Sequence, residues 1–177
     1  MRWEYDVFSD QGATKKLLIT NLAPREVSGA KVTPRKQELG GATFIELMKK
    51  DETGIYRYAE QKGEQAPPSL ITPMECHLRF PIAEGSSWKM AAKVGNSTVN
   101  LSLTIESLSD FVKVPAGVFK ECVKVKQVGE NDAISVLGYE WYAPKVGVVK
   151  SLVTIKQKSQ EGPKSETRTY QLVSFKP

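Results

Sequence analysis

The sequence predicts an all-β fold, a sandwich or a barrel. Two observations carry this. Apolar residues recur at every second position along most of the chain, and turn-forming residues separate these runs at short spacing. The clearest run is "STVNLSLTIES". Val99, Leu101, Leu103 and Ile105 point one way; Thr98, Asn100, Ser102, Thr104 and Glu106 point the other. Side chains alternate across a strand, so this run has one dry and one wet face. No helix could gather those four aliphatics onto one stripe.

The same test reads the rest of the chain in order. "WEYDV" alternates Trp3, Tyr5 and Val7, and "TKKLLITNL" and "REVSGAKVT" read as strands. "ATFIELMKK" and "GIYRYAEQ" flank "DETG", a hairpin turn. Phe44, Ile45, Leu47 and Met48 also fit a short amphipathic helix, but the tight turn and the tyrosines after it favour a strand. Residues 63–73, "GEQAPPSLITP", hold three prolines and read as the one long connection, a lid or crossover. "SSWKMAAKV" leads through Gly95-Asn96 into the Val99 strand.

"VKVPAGVFKECVKVKQVG" then sets Pro115, Ala116 and Gly117 between two β-branched runs. Proline cannot donate to a ladder and glycine permits a tight reversal, so Val114–Gly117 is expected to join antiparallel strands near 109–114 and 118–128. A phosphate loop needs more glycines and a following helix. Phe119, Val123 and Val125 fall on one face by parity; Lys120, Cys122, Lys124 and Lys126 fall on the other. "ISVLGYEWYA" ends at Pro144, Lys145-Val146-Gly147 turns the chain into "VVKSLVTIKQKS", and "EGPK" turns it into "ETRTYQLVSF".

The chain has 177 residues, the size of one domain spanning 1–177, with no internal repeat. Hydrophobic residues make up 40% and charged residues 25%, a globular rather than disordered balance. No apolar run approaches the ~20 residues of a membrane-spanning helix. The net charge of +5 is uneven: residues 1–112 hold 14 basic and 14 acidic side chains, residues 113–177 hold 11 and 6. A solvated, lysine-biased sheet face explains this excess more simply than an anionic partner. Lysines interleaved with valines do not make a nucleic-acid reader, because stacking aromatics are expected to be missing from that face.

Motifs for chemistry are sparse. His77 is the one histidine, and no G-x-S-x-G elbow accompanies it. Cys76 and His77 are adjacent and Cys122 is distant, a poor zinc spacing. Nothing selects a carboxylate pair among the 20 acids. No catalytic residue, cofactor or metal is therefore expected. Cys76 and Cys122 form an even pair that an oxidising compartment could bridge; two free thiols are the equal alternative at the outset, and the outer-face position of Cys122 tips the expectation toward two cysteines close enough to bridge. Asn96-Ser97-Thr98 is a formal glycosylation triplet of little weight.

Three phrases, in this order, resemble a group of bacterial cell-envelope proteins of unknown function, several of them lipoproteins. They are "LITPMECHLRFPIAEGSSW", "VKVPAGVFKECVKVK" and "WYAPKVGVVKSLV". The group's pattern runs G-x-x-W, V-P-A-G-x-F, then W-x-x-P-x-x-G-x-V-K. Gly85, Trp88, Pro115, Gly117, Phe119, Trp141, Pro144 and Gly147 occupy its positions here, within residues 70–155. All are turn formers or core aromatics, so the resemblance implies a fold rather than an activity. The implied architecture is that of the lipoprotein-carrier half-barrel, although no long helix is evident in this chain.

The expectation is thus an all-β domain: a single antiparallel, strongly curved sheet, a half-barrel or open barrel, with few or no helices. Its dry face is expected to be concave and to carry Leu101, Leu103, Ile105, Phe119, Val123, Val125, Tyr139 and Trp141. The resemblance implies the periplasm or cell envelope, with the targeting segment absent from this chain. The start "MRWEYDVFSD", which shows no signal pattern, fits that or the cytosol. The expected role is non-catalytic: holding a lipid or other apolar ligand, or an envelope protein, on the concave face. A structural module with a self-filled core is the alternative, and a hydrolase with an unidentified carboxylate site ranks third.

Overall fold

The computed structural model describes residues 1–10, 12–95, 97–158, 162 and 164–177. The turns expected at Gly95-Asn96 and at "EGPK", and the Asn96 triplet, fall wholly or partly outside the described residues. Thirteen strands run in order: β1 Arg2–Ser9, β2 Gly12–Asn21, β3 Arg25–Val27, β4 Ala30–Leu39, β5 Ala42–Asp51, β6 Gly54–Gln61, β7 Ser69–Arg79, β8 Ser87–Val94, β9 Ser97–Val114, β10 Gly117–Glu130, β11 Ile134–Ala143, β12 Gly147–Gln157 and β13 Lys164–Lys176. No helix occurs among the described residues.

The sheet order is β7-β6-β5-β4-β2-β1-β13-β12-β11-β10-β9-β8, with β3 paired to β4 off this path. Every pairing is antiparallel. With β3 set aside, this is chain order bent into a circle and cut between β7 and β8. The first strand pairs with the last, so the meander nearly closes into a barrel. Closure removes edges, and here two remain, facing each other.

Two readings of the sequence are corrected in detail. "REVSGAKVT" is a hairpin, not one strand. Ser28 and Gly29 both have positive φ, 48° and 77°, the backbone that a two-residue hairpin turn requires. The proline-rich connection ends at Pro68, not at Pro73, because β7 begins at Ser69. Pro73 lies inside β7, where a missing N–H is tolerated because β7 is an edge strand. The Val114–Gly117 reversal is present: Gly117 pairs with Val114 across it. The Phe44–Met48 segment is strand.

Three apolar clusters hold the sheet. The seam cluster joins Leu78 of β7, Trp88 and Met90 of β8, Leu101, Leu103 and Ile105 of β9, Val125 of β10, and Ile134 and Val136 of β11. A second cluster sits where the long β9–β10 hairpin reaches the other end of the barrel. There Val112, Val114 and Cys122 pack with Trp3, Tyr5, Val149 and Leu172. The Ala116 N–H bonds the Leu172 carbonyl at 2.9 Å, beyond the last β12–β13 pair at Lys150–Gln171. A third cluster, Val32, Ile45, Leu47 and Ala59, packs with Val27 of β3. Full burial of each such aliphatic stabilises the fold by about 1.5–3 kcal/mol. The strands come close enough at Gly129 that a β-carbon there would stand 2.4 Å from the Asn100 carbonyl oxygen.

Candidate functional site

Curvature brings distant strands to face one another around a lumen. A cavity of about 410 Å³ occupies it. Trp3 and Tyr5 of β1, Leu17 and Ile19 of β2, Met48 of β5, Ile55 of β6 and Val146 give it an apolar wall. Arg35 and Gln37 of β4, Glu46 of β5, His77 of β7, Gln127 of β10 and Glu140 of β11 give it a polar one. A smaller cavity of about 290 Å³ shares Tyr170 with it and reaches Ser9, Glu166 and Arg168.

The lumen is held by bonds from side chain to backbone. The Trp3 indole N–H donates to the Val146 carbonyl at 2.8 Å, and the Tyr5 hydroxyl donates to the Val148 carbonyl at 2.7 Å. Both tie β1 to the start of β12. The Tyr142 hydroxyl donates to the Glu140 carboxylate. Burial pushes the Tyr5 and Tyr142 hydroxyls well above the usual tyrosine range; Glu140 adds to this at both, and Arg35 opposes it.

The charges are unevenly satisfied. Arg57 grips Glu75 through Nε at 2.8 Å and Nη2 at 2.9 Å, and reaches Glu46 at 3.5 Å. Arg35 has no such partner among the described residues. Its guanidinium lies 5.7 Å from the Trp3 ring centre, and its buried Nε has no hydrogen-bond acceptor. His77 Nε2 is also buried without a hydrogen-bond partner, 4.0 Å from Glu75.

The eight residues expected on one dry face do not share it. Leu101, Leu103, Ile105 and Val125 are buried in the seam cluster, with Val123 packed against it. Phe119 packs instead against the hairpin cluster. Register shifts interrupt β10 between Phe119 and Val125, and Glu121 has φ 55°. Each such irregularity breaks simple parity. The same shifts take Cys122 out of the solvated lysine row and into the core.

Tyr139 and Trp141 lie on the opposite face from Val125. The β10–β11 register sets Val125 against Glu140, so Tyr139 and Trp141 stand level with Lys126 and Lys124. Lys124 Nζ lies 4.8 Å from the Tyr139 ring centre, and Lys150 Nζ lies 5.2 Å from that of Trp141. The Trp141 indole N–H donates to Asp110 at 2.9 Å. The lysine face therefore does carry aromatics, contrary to the reading of the sequence. Their faces are occupied by ammonium groups. Of the eight residues only Tyr139 borders the cavity.

Cys76 and Cys122 are both free thiols. They pack with different clusters, at the seam and at the hairpin, so neither the bridge nor a Cys76–His77–Cys122 centre is assembled. Among the described residues no group of three metal-binding side chains converges, and no helix is long and apolar enough to cross a membrane.

The lumen residues Arg35, Glu46, Glu140 and Tyr142 escaped the pattern reading. One signal did exist: "TPRKQEL" is polar at both parities, a strand with two wet faces.

No family model matches the chain, and no curated protein matches its sequence. Among solved structures, it is similar to a protein of Bacteroides fragilis with a YmcC-like fold, inferred to be exported. The identity is 18% and the TM-score 0.51, over 99% of this chain and 95% of the other. At that identity the likeness speaks for the fold alone.

Proposed function

We propose that this chain is a non-catalytic protein of the bacterial cell envelope that holds a lipid-like ligand inside its barrel. The observation that carries the reading is the lumen cavity of about 410 Å³. That volume falls within the roughly 300–1,000 Å³ typical of small-molecule sites, and its mixture of an apolar wall with a few polar groups is also typical. A self-filled structural module would have side chains in that space. The binding surface is the lumen wall of β1, β2, β4, β5 and β6 with β11 and β12, rather than the Leu101–Ile105 row, which is packed core. Location in the periplasm or envelope is part of the proposal; the exported assignment of the B. fragilis structural neighbour supports it.

Native mass spectrometry of the protein purified from bacterial envelopes tests this. Mass added by a lipid, released on mild activation, supports the carrier. A bare chain that also fails to take up added lipid contradicts it and favours the structural module.

A further inference from the structure

We infer that the lumen takes a single-chain amphiphile with a carboxylate head, and that Arg35 receives the carboxylate. This deepens the ligand-holding reading above and rests on it.

Arg35 is the starting point. A guanidinium stays charged at any ordinary pH, and although Arg35 as a whole is half-buried, its Nε–H is out of water, where a donor needs an acceptor. Neither Glu46 nor Glu140, the acids that border the same lumen, makes an ion pair with Arg35. Glu46 stands opposite Arg35 in the β4–β5 register, yet it pairs with Arg57. Glu140 accepts from the Tyr142 hydroxyl. What Arg35 has is the Trp3 ring, a weak partner beside a carboxylate, and an Nε–H without an acceptor. A planar carboxylate matches the guanidinium fork and would satisfy that donor.

The rest of the cavity selects an apolar tail. Leu17, Ile19, Met48 and Ile55 offer an alkyl chain a wall with few competing polar groups. A phosphate head fits less well. It brings up to two charges, and Glu46 and Glu140 line the same space with one unpaired cation to offset them. A cationic head would meet Arg35 itself.

Equilibrium titration with laurate, lauryl alcohol and laurylamine tests the inference. Laurate is expected to bind at least about tenfold tighter than the alcohol, the order of one charge-assisted hydrogen bond, with the amine weakest. Arg35→Met is expected to erase the difference between laurate and the alcohol while leaving the alcohol's affinity in place. Equal binding of laurate and alcohol, or an Arg35→Met protein that still prefers laurate, would overturn the inference and leave the lipid-holding lumen standing. No binding of any of the three would overturn both. If Arg35→Met does not fold, the order of the three ligands on the unaltered protein decides alone.

Discussion

The indole N–H of Trp88 donates to the carbonyl oxygen of Cys76 at 2.7 Å. These residues belong to β8 and β7, the two edge strands, which the sheet does not pair with each other. One side-chain bond thus does at the seam what a ladder does elsewhere. Its removal by Trp88→Phe leaves a partly buried carbonyl without its donor, at a cost of about 1 kcal/mol. The denaturant midpoint should fall accordingly, and amide exchange should quicken along β7 and β8 first. An unchanged midpoint would mean the seam is held by packing alone.

Core and lumen should answer differently to added bulk. Leu103 is fully buried in the seam cluster and does not border the cavity. Leu103→Trp should overpack the core and cost ~1–3 kcal/mol without a specific loss of ligand uptake. Gly138 borders the cavity, and a β-carbon there meets nothing nearer than 3.6 Å. Gly138→Leu should therefore fold, and should lower lipid uptake by filling the lumen. Paired denaturation and binding curves on the two variants check both halves.

The buried tyrosines predict an alkaline limit. Burial holds Tyr5 and Tyr142 protonated in the folded chain above the ordinary tyrosine value of 10.0. In the unfolded chain they ionise near pH 10. The folded state therefore keeps protons that the unfolded state releases, so this contribution is complete below about pH 10 and is lost as pH rises beyond it. Midpoints measured across that range should fall, and Tyr5→Phe should flatten the fall. A fall of equal steepness in the variant would remove Tyr5 as its cause.

The thiols should be free and slow. Burial raises the pKa of both Cys76 and Cys122, which lowers the thiolate fraction that alkylating agents attack. The unreduced protein should expose two thiols when denatured. In the native state Cys122, fully buried, should resist alkylation longer than the half-buried Cys76. A missing pair of thiols in the denatured, unreduced protein would contradict the free state of both cysteines.

How much of this was legible in the sequence depends on the range of the interaction. Alternation within a strand is local, so "STVNLSLTIES" announced its dry face and Pro115-Ala116-Gly117 its reversal. Which face of one strand meets which face of the next is set by register, and register is not local. Val125 and Trp141 each alternate cleanly, yet the pairing of Val125 with Glu140 puts them on opposite sides. The irregularities around Glu121 add a second break that no alternation reveals. The lumen was hidden for a third reason. Arg35 and Glu46 face each other across the β4–β5 hairpin, but Glu140 sits on β11, far away in the chain, and only closure of β1 against β13 lets all three face one space.

The lumen as a ligand site is tested most directly by methyl resonances. The chain has four methionines, and only Met48 borders the cavity. Met90 is buried in the seam cluster and Met74 is exposed. With methyl-labelled methionine and laurate added to saturation, the Met48 signal should shift while those of Met74 and Met90 stay in place. A Met48 signal that does not move, or a shift confined to Met74 or Met90, would contradict a ligand held in the lumen.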